Sequence, residues 1–145
     1  MKVNILLSTY NGEQYLEEQV KSIQEQTYQE WELLIRDDGS SDGTVELIKK
    51  LATRDSRIRF INETHVENVG VIKSFHALLK YSKADLYCFS DQDDFWLPEK
   101  ISLQVTEAKK YSQDKPLLIY TDLKVVDENL SVLHESMIRD RKSVV

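Results

Sequence analysis

A chain of 145 residues with 41% hydrophobic and 30% charged side chains can bury one core and remain soluble. Its 19 Lys and Arg against 25 Asp and Glu leave a formal charge of −6, which opposes attraction to nucleic-acid phosphates or anionic lipid, so no nucleic-acid partner is expected. The single Cys88 lies in an apolar run and excludes a disulfide framework or a cysteine-based metal site; no stretch nears the ~18 apolar residues of a membrane span and the N-terminus has no signal-peptide pattern, so a cytoplasmic location is expected.

The first apolar run, Val3–Leu7, has strand length and leads into Ser8-Thr9-Tyr10-Asn11-Gly12. Gly12 permits a tight turn, Tyr10 offers a ring to stack on a base, and Asn11 can equally cap the helix that follows. Over Glu13–Gln26, Leu16, Val20 and Ile23 form one stripe with Glu17, Glu18, Gln19 and Lys21 opposite, which predicts an amphipathic helix.

The second strand, Trp31–Ile35, runs into Asp37-Asp38-Gly39-Ser40-Ser41-Asp42-Gly43-Thr44. A carboxylate at a strand end can accept hydrogen bonds from a base imide or from ribose hydroxyls, and Asp38 is the preferred candidate. Ser41 or Asp42 reads as the cap of a short helix carrying Val45, Ile48 and Leu51. A calcium loop is excluded, because the alternating acids and the closing Glu are absent.

A third strand is expected at Ile58–Ile61. Glu67-Asn68-Val69-Gly70-Val71 then opens a helix over Val71–Tyr81, where Gly70 allows close approach of a ligand and Lys73 can reach a phosphate. The three histidines, His65, His76 and His134, lack paired metal spacing.

The fourth strand, Leu86–Phe89, ends in Ser90-Asp91-Gln92-Asp93-Asp94-Phe95-Trp96-Leu97-Pro98, with three carboxylates in four positions. Clustered like charges raise one another's pKa and call for a cation, and oxygen-only donors favour Mg²⁺ or Mn²⁺. The alternative is a solvated acidic turn before a helix starting near Pro98. In either case Phe95 and Trp96 are read as structural, packing the loop on the core. Leu97, Ile101, Val105 and Ala108 form that helix's stripe.

A fifth strand is expected at Leu117–Tyr120 and a hairpin over Asp122–Leu130 that would make the sheet mixed, while 139–145 reads as a tail. Strands alternating with helices imply right-handed βαβ crossovers, hence an α/β fold with a mostly parallel sheet flanked by helices, in one domain over 1–145. In such a sheet ligands bind beyond the carboxyl ends of the strands, where the polar segments fall.

From Val3 to about Val126 the chain resembles family 2 of the inverting glycosyltransferases, through Ser8–Gly12, Asp37–Thr44, Asn68-Val69-Gly70 and Asp91–Pro98, in the family's order. The resemblance implies a Rossmann-like GT-A nucleotide-diphospho-sugar transferase fold. It implies that Thr9, Tyr10 and Asp38 bind the nucleoside, that Asp91 approaches the ribose or sugar, that Asn11 and Asp94 are further, second-rank nucleotide-sugar-binding candidates, and that Asp93 ligates a Mn²⁺ or Mg²⁺ held with the diphosphate. The implied donor is a UDP- or dTDP-sugar and the implied acceptor a saccharide or lipid-linked molecule, with peripheral membrane association of a longer enzyme. The family's catalytic base is expected beyond residue 145; Asp122 and Asp127 are the late carboxylates near a strand, and Asp122 is placed on the sugar or acceptor side.

The version Asp91-Gln92-Asp93-Asp94-Phe95-Trp96 is similar to that of bacterial rhamnosyltransferases, which use dTDP-L-rhamnose to build capsule, O-antigen or wall polysaccharide. Two other readings compete. A receiver-like Mg²⁺-binding module would need its acidic pair after the first strand, and a sugar nucleotidyltransferase would need a Gly-rich phosphate loop there; Ser8–Gly12 supplies neither.

Overall fold

The computed structural model describes residues 1–112 and 114–137, so the tail expected at 139–145 lies outside the described residues. The chain, read from its sequence as one domain, forms two compact units, Met1–Thr106 and a second beginning at Glu107.

The first unit runs β1 (Val3–Thr9), α1 (Leu16–Gln24), β2 (Trp31–Asp37), α2 (Thr44–Arg54), β3 (Ile58–Phe60), α3 (Val71–Tyr81), β4 (Leu86–Ser90) and α4, Lys100–Ala108, which crosses into the second unit. The four strands are parallel in the order β3-β2-β1-β4. Alternation along the strands sorts the side chains between two faces. Val3, Ile5 and Leu7 of β1 and Leu33 and Ile35 of β2 bury against Leu16, Val20 and Ile23 of α1, Ile48 and Leu51 of α2, and Ile101 and Val105 of α4. The opposite face is thinner: Leu6 and Leu34 pack on Leu78 of α3, with Phe75, Tyr87 and Ile61 beside them. This is the mostly parallel, helix-flanked α/β sheet expected from the sequence.

The strands outlast their apolar runs. Thr9 still pairs with Asp37 in the β1–β2 ladder, so the first polar residues beyond the core are held rigidly in the sheet. In contrast, α1 starts at Leu16 rather than Glu13, because Glu13 is tied to the next loop: its N–H donates to Asp42 and its carboxylate accepts the Gly43 N–H.

In the second unit, β5 (Val125–Val126) and β6 (Val132–His134) pair antiparallel as a sheet of their own. The expected hairpin is present, and the four-stranded sheet stays purely parallel among the described residues. Leu117–Tyr120 is not a strand: it has no ladder partner, and Leu118 is 84% exposed. Asp122 accepts the N–H groups of Leu123 and Met137, and Asp127 those of Asn129 and Ser131, so both carboxylates are engaged in shaping the hairpin.

Candidate functional site

The chain leaves β1 toward β2 on one side and returns to β4 on the other, so the loops after β1 and β4 part at the strands' carboxyl ends, where open α/β sheets bind ligands. A cavity of about 190 Å³ lies there, lined by Ser8, Thr9, Tyr10, Asp38, Val71, Asp91, Gln92 and Asp93. The structure thus brings together Thr9, Tyr10, Asp38, Asp91 and Asp93 of the expected site, and leaves Asn11 and Asp94 off its lining.

The adjacent acids of the second motif divide by strand parity. Asp37 is fully buried: one carboxylate oxygen accepts the N–H groups of Gly39 and Ser40, and the other accepts the hydroxyls of Thr9 and Ser40. The Thr9 hydroxyl expected at a nucleoside is therefore spent inside the protein, fixing Asp37 at 2.8 Å. Asp38 points to the opposite face. Its Oδ1 accepts from Arg36 at 2.8 Å and from the Val69 N–H at 2.8 Å, and its Oδ2 from the Gly70 N–H at 3.0 Å. At Gly70, φ 84°, the chain turns into α3, and Asp38 occupies the N–H groups of that turn, where the close approach of a ligand was expected. Lys73 is exposed and does not line the cavity.

Asn11 neither caps α1 nor faces the cavity. It sits at φ 48°, and its side-chain oxygen accepts the Ser41 N–H at 2.8 Å. Around it the β1–α1 and β2–α2 loops are stitched together: Asn11 N–H to Ser40, Gly12 N–H to Thr44, and Glu13 N–H to Asp42. Asp42 also accepts the Thr44 N–H, so it steadies the start of α2 as expected, although Gly43 occupies the capping position itself. Most of the Ser40–Thr44 segment is loop architecture.

The acidic loop is fastened to the first motif through Gln92. Its Oε1 accepts the Tyr10 N–H at 2.9 Å and its Nε2 donates to the Tyr10 carbonyl at 3.0 Å, a two-bond clamp on the backbone of one residue. Gly12 makes room for it, since a Cβ there would stand 2.3 Å from Gln92 Oε1. Gly12→Ala is expected to cost about 1–3 kcal/mol by overpacking, and less in a Gln92→Ala background. Equilibrium urea unfolding of the two single variants and the double variant reads this coupling, and additive losses would count against the clamp.

Beyond the clamp, the Asp94 carboxyl is pushed up, first by loss of hydration and then by the charges of Asp91 and Asp93; hydrogen bonds from the Asp91 N–H and the Trp96 side chain oppose the rise. Trp96 is buried and its backbone N–H donates to Ser22 Oγ of α1, which anchors the loop on the core as expected. Among the described residues, no three of His, Cys, Asp and Glu converge on a metal-binding point. Asp91 and Asp93 offer hard, exposed oxygens that suit Mg²⁺ or Mn²⁺ only when phosphate oxygens and water complete the shell.

Sequence reading missed Arg36, Gln92 and Ser8. Arg36 is 6% exposed and spans Asp38, Ser74 and the Glu67 carbonyl. A cation between a buried run and two acids is a signal of such a buried pair. Ser8 lines the cavity and shares a 2.6 Å hydrogen bond with Ser74 of α3.

Residues 4–119 match the model of glycosyl transferase family 2. The Escherichia coli UDP-Glc:alpha-D-GlcNAc-diphosphoundecaprenol beta-1,3-glucosyltransferase WfgD is 31% identical over 127 residues, 88% of this chain and 47% of that protein. The Shigella flexneri dTDP-rhamnosyl transferase RfbG is 38% identical over 98 residues, 66% of this chain and 34% of its own length. Among solved structures, the mannosyltransferase PcManGT of Pyrobaculum calidifontis, in complex with GDP-Man and Mn²⁺, superposes with a TM-score of 0.61 at 25% identity over 70% of this chain and 30% of that one. The chain spans about half the length, or less, of the curated relatives it matches.

Proposed function

The chain belongs to glycosyl transferase family 2 and has its GT-A fold, and from that premise we propose that its cavity holds the nucleoside-diphosphate sugar of a metal-dependent, inverting sugar transfer. The observation that carries this reading is the convergence of Tyr10, Asp38, Asp91 and Asp93 on one cavity at the carboxyl ends of β1, β2 and β4. Tyr10, with its side chain half exposed at the rim, stacks on the base; Asp38 accepts its imide N–H; Asp91 takes a ribose or sugar hydroxyl. Thr9 and Asn11 contribute by holding Asp37 and the neighbouring loop.

Asp93, with Asp91 beside it on the cavity wall, would hold the Mn²⁺ or Mg²⁺ that accompanies the diphosphate. When bound, the ion neutralises charge that develops on the departing nucleoside diphosphate. The acidic loop disfavours a diphosphate in the ion's absence, since Asp91, Asp93 and Asp94 repel it.

The donor is a UDP- or dTDP-sugar, dTDP-L-rhamnose among the candidates, and the acceptor a saccharide or lipid-linked molecule of bacterial surface polysaccharide synthesis. The names of WfgD and RfbG support both sides of this assignment. We place the reaction in the cytoplasm, with peripheral attachment to the membrane; no helix among the described residues is long and apolar enough to cross one.

Calorimetric titration of UDP and dTDP into the chain, with and without Mn²⁺, tests the reading. The expected result is binding that requires Mn²⁺, with the tighter nucleotide identifying the donor base. A folded chain that binds neither nucleotide in Mn²⁺ overturns it.

A further inference from the structure

We propose that Arg36 is a positioning residue that makes Asp38 a single-acceptor reader, so that the cavity selects bases carrying an imide N–H over bases that present a ring-nitrogen acceptor. The inference rests on the nucleotide reading above and adds to it the residue that sets base selectivity.

An ionised carboxylate has about four acceptor positions. At Asp38 three are filled by the protein: Arg36 and the Val69 N–H on Oδ1, the Gly70 N–H on Oδ2. One position remains, on Oδ2, in a residue that lines the cavity and is 5% exposed. A group with one fixed acceptor and no donor matches uracil or thymine N3–H and opposes the lone pair of cytosine N3.

Arg36 is what holds the carboxylate in that attitude. Its guanidinium is pinned from three directions: Asp38 on the strand exit, the Glu67 carbonyl at 3.2 Å before α3, and Ser74 Oγ at 3.3 Å within α3. Ser74 is itself fastened to Ser8 on the cavity wall. The planar fork allows these bonds together, and an ammonium cannot reproduce them. With the fork gone, Oδ1 regains an open acceptor position and the carboxylate can turn. It can then follow the N4 amino group of cytosine, so the cost of the wrong base falls.

UDP and CDP differ only at this edge of the base, which makes their affinity ratio the readout. Arg36→Lys and Ser74→Ala carry the test, because both keep a cation beside Asp38, and far-UV circular dichroism with thermal unfolding confirms that each variant is folded. In Mn²⁺ the parent chain is expected to bind UDP at least ~10-fold more tightly than CDP. In Arg36→Lys the ratio is expected to fall to about 2–3, with a smaller fall in Ser74→Ala. Equal losses of UDP and CDP affinity in Arg36→Lys, leaving the ratio unchanged, would show a purely structural Arg36 and overturn the proposal. So would a parent chain that binds both nucleotides alike. A parent chain that binds no nucleotide defeats the functional reading itself, which separates the two failures.

Discussion

With Asp93 replaced by alanine, UDP affinity in Mn²⁺ is expected to fall on the order of 100-fold, about 2.7 kcal/mol, while the unfolding midpoint holds. The argument lies in what Asp93 does not do. Asp37 is consumed by four donors, Asp38 by three and Asp42 by the first turn of α2, whereas the Asp93 side chain has no hydrogen bond or ion pair with the described residues. It faces the cavity, exposed, and its charge raises the Asp94 pKa. A carboxylate held there at an electrostatic cost has no folding duty to lose, so its removal should relax the loop and abolish only what the charge recruits. Calorimetry in Mn²⁺ beside a thermal melt separates the two effects. Undiminished Mn²⁺-dependent binding by the variant would remove Asp93 from the metal's shell.

The four parallel strands were legible because each carries a short, mostly apolar run, Val3–Leu7, Trp31–Ile35, Ile58–Ile61 and Leu86–Phe89, and the two inner strands β1 and β2 are buried along nearly their whole length. Their ends were less so: Ser8, Thr9, Arg36 and Asp37 are polar yet remain in the ladder, since each finds a partner across the sheet or on α3. Arg36 stayed hidden for that reason, as an isolated charge at a run's end looks like the exit to solvent. Leu117–Tyr120 shows the opposite error: an apolar run specifies no strand without a neighbour to pair with. The site was legible as a set of loops and only partly as a set of side chains. Tyr10, Asp38, Asp91 and Asp93 reach the cavity, while the Thr9 hydroxyl and the Asn11 carboxamide serve Asp37 and Ser41, distinctions that turn on parity and on a left-handed backbone at Asn11.

Asp38→Ala is expected to cost about 3–5 kcal/mol of unfolding free energy in urea, a large share of the 5–15 kcal/mol that holds a domain of this size together. The substitution leaves the Arg36 guanidinium, 6% exposed, without its carboxylate, and strips the Val69 and Gly70 N–H groups of their acceptor. Loss of UDP binding by this variant alone would therefore be ambiguous between an absent reader and a disordered entrance to α3. The double variant Arg36→Met, Asp38→Leu separates them. Removing both charges replaces a buried ion pair with apolar volume, which is often neutral or stabilising, so the share of the loss that comes from the unpaired Arg36 should return, while the Val69 and Gly70 N–H groups stay without their acceptor. Nucleotide binding should not return with it, because nothing in the cavity then accepts the imide N–H. Recovery of UDP affinity alongside stability would mean that Asp38 serves α3 alone. Recovery of stability without affinity would establish that one carboxylate both ties down the helix and reads the base.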